Sequence, residues 1–187
     1  MSLSVRKPNE DELRAAADEL RSGSAAAFQI LYKQYSQSVY RFCLRMLGDT
    51  AGAQDAFQET FMKVYEHHTE FRGDHFPAWL FTIARRICLN HIRSVKEHDI
   101  FDEEAHGSVS SNNSRDIGMQ MCVHNALMHL PLQLREAAIL REYEGYSYQE
   151  IAEIVGIDIS LAKVRVHRAR LLLRKLLAPV MQEWYES

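Results

Sequence analysis

The sequence predicts an all-α fold of two small helical domains joined by a flexible linker. Three observations predict it. Apolar residues recur at steps of three and four rather than two. Only 4 prolines and 8 glycines punctuate the 187 residues, which leaves room for long helices. One segment, 97–117, is acidic and then rich in Ser and Asn, with few apolar anchors, which is a linker composition. The halves on either side are small enough that each is marginal alone and leans on a partner.

Each element follows from local signals. Residues 10–21 suit a short amphipathic helix within an N-terminal extension, 1–24. Residues 25–47 form a long helix, with Phe28, Leu31, Tyr32, Tyr35, Val39, Phe42 and Met46 on one face and Gly48 as its stop. Asp49 or Thr50 caps the next helix, 51–67, which turns Phe57, Phe61, Val64 and Tyr65 inward. The connector Phe71-Arg72-Gly73-Asp74-His75 follows. Pro77 then sits in a first turn, where its missing N–H loses no partner. That helix runs to Val95, with Phe76, Trp79, Leu80, Ile83 and Ile87 apolar and Thr82, Arg85, Arg86, Arg93 and Lys96 away from them. Beyond the linker come helix 118–129, Pro131, helix 132–143 and a break at Gly145. Ser147 and Glu150 form a capping box for a short helix 148–155, and Gly156 leads into a basic helix over 160–177.

Composition narrows the function. At 47% hydrophobic and 25% charged, the chain is globular. No apolar run approaches the ~18 residues of a membrane span, and the N-terminus lacks the apolar core of a secretory signal. A cytoplasmic protein is expected. Cys43, Cys88 and Cys122 stand far apart with no CxxC pair, so they read as free thiols and no metal or cofactor is expected. The net charge of -3 hides segregation. Residues 158–178 carry six cations against Asp158, a net +5, while 136–157 carry five Glu against Arg141, a net -4. Such a basic segment can bind nucleic acid locally.

Residues 147–170 fit a helix-turn-helix. Ala152 is small enough for a close helix crossing, and Gly156 allows a turn with positive φ. Ile151, Val155, Ile157 and Val166 fill the angle between the helices, and Ser160 can cap the second. Its N-terminal turns would then enter a major groove. Lys163, His167 and Arg168 share a broad face, and Arg165 and Arg170 flank it within reach of phosphates. The bland alternative is a helical hairpin with a solvated basic face; the joint cap, Ala, Gly and basic helix favour DNA. About four phosphate contacts would give a salt slope of only about -3.6, so such a module binds weakly alone.

Two N-terminal features stand apart. Asp55 and Glu59 lie four residues apart on one helix face with Gln58 beside them. No second carboxylate pair accompanies them, so a docking face or a solvated face fits better than acid–base chemistry. The stretch 71–86 alternates aromatics and arginines around a glycine, which suits stacking of unpaired bases beside cations; core packing is the plainer account of Trp79. His67, His68 and His75 cluster nearby as exposed residues at a helix end.

Together these motifs resemble a bacterial RNA polymerase sigma factor of the extracytoplasmic-function class, group IV of the sigma-70 family. They are Asp55-x-x-Gln58-Glu59-Thr60-Phe61, Phe71-Arg72-Gly73 with Trp79-Leu80-x-x-Ile83-Ala84-Arg85, Leu130-Pro131, Tyr146-Ser147-Tyr148-x-Glu150-Ile151-Ala152 and His167-Arg168-Ala169-Arg170. The resemblance implies a region 2 domain over 25–96, a linker over 97–119 and a region 4 helix-turn-helix domain over 120–187. It implies that Asp55, Gln58 and Glu59 help bind the clamp coiled coil of core RNA polymerase. Arg72, Arg85, Arg86, Asn90 and Arg93 would recognise the -10 promoter element and hold its melted strand, with Gly73 and Asp74 in the loop that captures a flipped base. Lys163, His167 and Arg168 would read the -35 element, with Ser147 and Tyr148 on phosphates. The acidic run Asp99, Asp102, Glu103 and Glu104 would mimic nucleic acid in the polymerase channel. Promoter DNA, core polymerase and an anti-sigma factor are the implied partners. Leu161, Ala162 and Val164 depart from the more usual Thr, Val and Ser of the recognition helix; Val164 cannot donate to a base but can touch a thymine methyl. A stand-alone helix-turn-helix regulator is the alternative, and it would need neither the 55–61 nor the 71–86 motif.

Overall fold

Eight α-helices, and no strand, make up the described residues of this computed structural model, which are 8–72, 75–99 and 115–185. Helix α1 spans Glu10–Leu20, α2 Ala25–Leu47, α3 Thr50–Glu66 and α4 Phe76–Asp99. Helix α5 spans Arg115–Met128, α6 Leu132–Ala138, α7 Tyr148–Val155 and α8 Ile159–Tyr185. The all-α expectation holds. Local signals set most boundaries. Asp49 accepts from the Gly52 N–H at the start of α3, and Gly48 closes α2 at φ +88°. The Ser147–Glu150 capping box forms at α7, with Gly156 closing it at φ +75°.

The N-terminal body packs α2, α3 and α4 around Leu31, Val39, Phe42, Met46, Phe61, Val64, Leu80 and Phe81, all buried. Full burial of each such side chain contributes about 1.5–3 kcal/mol. Helix α1 adds Ala16, Ala17 and Leu20 to the same core, so it is part of this body rather than a separate extension. Its N-terminus is closed by an Asn9–Glu12 capping box, a local sequence signal. Tyr65, expected inward, is instead 53% exposed; the α2–α3 groove is already filled by Phe28, Phe57 and Phe61.

The C-terminal body packs α6, α7 and α8 around Ile139, Leu140, Ile151, Ile154, Val166 and Ala169. The helix expected over 132–143 widens at Ile139–Tyr143 into a π-helical turn. Helix α8 starts at Ile159, where Ala162 N–H meets the Asp158 carbonyl, so Ser160 lies inside the first turn instead of capping it.

The two bodies share one continuous core. Phe81 of α4 stacks edge-on between Phe42 of α2, at 5.3 Å, and Tyr146, at 5.2 Å. The linker expectation of 97–119 meets α4 running on through Asp99 and α5 beginning at Arg115. Residues 100–114, including Asp102, Glu103 and Glu104, lie outside the described residues.

The two closing glycines separate two effects. A Cβ at Gly48 would sit 2.7 Å from Met128 Sδ, whereas one at Gly156 would meet open space. Gly156→Ala should therefore show only the left-handed backbone term, about 1–2 kcal/mol. Gly48→Ala should lower the urea midpoint further, because Met128 of α5 must also move.

Candidate nucleic-acid interface

Burial fixes the roll of α8. Ala162, Val166 and Ala169 are at most 1% exposed and face α6 and α7. The opposite face carries Ser160, Lys163, Val164, His167 and Arg168, all exposed. Lys163 Nζ lies 6.0 Å from the Tyr148 ring, with Arg141 over the same ring at 4.8 Å. Lys163, His167 and Arg168 thus share an open face, as their spacing suggested. Ser147 is held by its capping role at the start of α7.

One predicted flanking cation faces elsewhere. Arg165 is turned inward, its Nη1 donating to Glu136 Oε1 at 3.3 Å with 14% of its side chain exposed. Arg170 stays exposed and forms a surface pair with Glu142 at 2.7 Å. The sequence pattern put both beside the basic face, but a buried carboxylate of α6 claims Arg165.

In the N-terminal body, α3 and α4 enclose a groove of about 710 Å³. It collects Arg86, Asn90 and Arg93 with Glu59, His67 and Trp79. Arg93 donates to Asn90 Oδ1 at 3.4 Å, and Glu59 lies 3.5 Å from His91 Nε2. Asp55 and Gln58 are exposed on the same outer face of α3, where Met62 is 61% exposed between them and Tyr65. Sequence reasoning missed Met62; its exposure beside two carboxylates and an amide is the signal. Arg72 is exposed at the connector, and Gly73 and Asp74 lie outside the described residues. Trp79 is half-buried against Phe71 and Phe76, a packing role first.

Arg85 is the other departure. It lines the groove but its guanidinium reaches into the contact between bodies, where its Nε donates to Glu136 Oε2 at 2.7 Å and its Nη2 to Oε1 at 3.3 Å. Glu136 is 1% exposed, so α4 and α8 meet on one buried carboxylate. The preceding residue joins the ends of α2 and α5: Arg135 donates to the carbonyls of Met46 and Met128 at 2.8 and 2.6 Å. Burial pulls this guanidinium below its ordinary pKa. At the rim, His75 Nε2 meets Glu150 at 3.2 Å and His124 Nε2 meets the Gly48 carbonyl at 3.2 Å. Glu144 stands 4.0 Å from Arg45, whose guanidinium lies 3.9 Å over Tyr143. Burial pushes the Glu144 carboxyl up, against the opposing pull of Arg41 and Arg45.

The comparisons agree with this arrangement. The family described as Sigma-70 region 2 matches residues 31–97, and Sigma-70, region 4 matches 120–173. The RNA polymerase sigma-H factor of Pseudomonas aeruginosa is 30% identical over 93% of this chain and 98% of its own. The RNA polymerase sigma factor CarQ of Myxococcus xanthus is 31% identical over 89% of this chain and 98% of its own. Among solved structures, the sigma factor RpoE in complex with the anti-sigma factor NepR from Bartonella quintana superposes with a TM-score of 0.72 at 29% identity, covering 81% of this chain and 96% of that one.

The fold and its two basic faces thus define a promoter-specificity subunit of transcription initiation. The chain belongs to the extracytoplasmic-function class of RNA polymerase sigma factors, and as such directs the polymerase to specific promoters. Among the described residues, no helix is long and apolar enough to cross a membrane.

Two stability tests follow from the contact between bodies. Glu136→Ala leaves two part-buried guanidiniums without a counter-charge and should cost up to about 3 kcal/mol in urea unfolding. Glu136→Gln, which keeps an acceptor, should cost less; a Glu136→Ala midpoint equal to wild type would show the cluster to be dispensable. Glu144 has the opposite sign. A carboxyl raised by burial penalises the folded state while ionised, so stability grows as pH falls through its folded value. Glu144→Gln should raise the Tm at pH 7.5 by about 2–4 °C, the effect of ~1 kcal/mol in a chain of this size, and flatten the rise in stability between pH 7.5 and 5.

Proposed function

We propose that this chain reads a promoter with two separate surfaces, does no chemistry of its own, and acts in the cytoplasm. One observation carries the reading: each body presents its own open cationic face. Lys163, His167 and Arg168 stand clear on α8, and Arg86, Asn90 and Arg93 line the α3–α4 groove. The first face suits duplex DNA in the -35 element. The second suits the melted -10 strand, with Arg72 at its connector and the 73–75 loop as the capture site. Ser147 and Tyr148, at the N-terminus of α7, suit phosphates.

Docking onto core polymerase falls to α3. Asp55, Gln58 and Glu59 supply charge and hydrogen bonding, and Met62 supplies the apolar centre that an interface hot spot needs. Region 2 then extends from α1 through α4, and region 4 from α5 through α8. Arg165 is held by Glu136, while Arg85 lines the -10 groove with its guanidinium engaged by the same carboxylate. An anti-sigma factor is a fitting partner, since the Bartonella quintana sigma factor RpoE was solved in complex with the anti-sigma factor NepR.

Run-off transcription with sigma-free core polymerase and genomic promoter fragments tests this division. The chain should yield specific transcripts. Asp55→Ala/Glu59→Ala should reduce them about tenfold or more, equivalent to ~1.4 kcal/mol of docking. Lys163→Ala and Arg168→Ala should each cost about 1–3 kcal/mol in promoter affinity without affecting core binding. Tight, specific DNA binding by the chain alone, with no transcripts, would instead support a stand-alone regulator.

A further inference from the structure

The open face of α8 is basic, yet its middle is apolar. Leu161 and Val164 are 40% and 41% exposed within its first two turns, between Lys163, His167 and Arg168. They are not leftovers of core packing, because Ala162, Val166 and Ala169 fill the inner side completely. No acidic residue occurs from 159 through 182. A surface free of acidic side chains, with cations around Val164 near its centre and Leu161 at its edge, complements a partner that is anionic with apolar points within it. The major groove is such a partner. Its phosphates are negative, and the C5-methyl of thymine is the apolar point on its floor.

We propose that Leu161 and Val164 read the methyl groups of two neighbouring thymines in the -35 element, making these two residues specificity determinants of this sigma factor. The proposal rests on the reading of α8 as the -35 helix. Leu161, Val164 and His167 are spaced by three, the spacing at which other recognition helices meet successive bases. His167 therefore addresses the next base pair by hydrogen bonding, while Lys163 and Arg168 secure the helix from either side. Neither apolar side chain can donate a hydrogen bond. Selectivity at those two positions comes from the methyl group alone.

The test uses holoenzyme, assembled from this chain and sigma-free core, on the strongest promoter recovered by run-off transcription. Each thymine of its -35 segment, on both strands, is replaced singly by deoxyuridine, which removes only the methyl. Binding should fall about fourfold at two neighbouring positions, the worth of one buried methyl. Val164→Ala should abolish the loss at one position and Leu161→Ala at the other, with the Tm unchanged because both side chains are exposed. Indifference of the wild-type holoenzyme to deoxyuridine throughout, a -35 segment with no thymine, or variants that keep the full discrimination would overturn the proposal. Val164→Asp reducing transcription equally on thymine and uracil templates, with no methyl effect in the wild type, would assign the face to a protein partner and also overturn it. Failure of the underlying reading looks different: Lys163→Ala and Arg168→Ala would then leave upstream binding intact.

Discussion

The carboxylate of Glu136 is the constraint on which the arrangement of this chain turns. It is 1% exposed and receives guanidinium donors from Arg85 of α4 and Arg165 of α8. An isolated carboxylate removed from water this completely would be costly by several kcal/mol. Two cations and three hydrogen bonds offset that penalty only if α4, α6 and α8 all hold position. The cluster is therefore specific before it is stabilising. Apolar contacts such as Phe81 on Tyr146 tolerate small shifts, whereas a buried charge does not. Arg135, one residue earlier, extends the same logic to main chain. It satisfies carbonyls at the C-terminal ends of α2 and α5, where a cation also meets the favourable end of the helix dipole. Two adjacent residues of α6 thus align four other helices.

This constraint sorts the cations of the chain. Those claimed by the buried carboxylate of Glu136, Arg85 and Arg165, face structure, and Arg170 is paired with Glu142 at the surface. Those left on open faces, Lys163, His167, Arg168, Arg86 and Arg93, face solvent. A protein of net charge -3 can bind a polyanion because the sorting is local: α8 carries no acid on its described surface, while the acids gather on α6, α7 and the π turn.

Much of the fold was legible in the sequence because its signals are local. Gly48, Asp49, Ser147, Glu150 and Gly156 each act within four residues, and each does what its chemistry predicts. The basic face of α8 follows from helical period alone. What failed to read depends on distant partners. Arg85 meets Glu136 across 51 residues and Arg165 meets it across 29, so no periodicity could reveal that both turn inward. Tyr65 has the spacing of a core residue, but Phe28 at 5.5 Å and His68 at 6.1 Å still leave it 53% exposed. The π turn reflects a tertiary demand as well: it carries Tyr143 under Arg45, a residue nearly a hundred positions away.

The contacts between the two bodies also define what their separation would break. Here opening would separate Arg85 from Glu136 and Tyr146 from Phe81, yet leave the Glu136–Arg165 pair intact within the C-terminal body. The buried charge then keeps one counter-ion, and the bodies part without orphaning it. Arg85 is the partner such a separation would release, and it is a residue that already lines the α3–α4 groove, so the contact between bodies and the groove share one guanidinium.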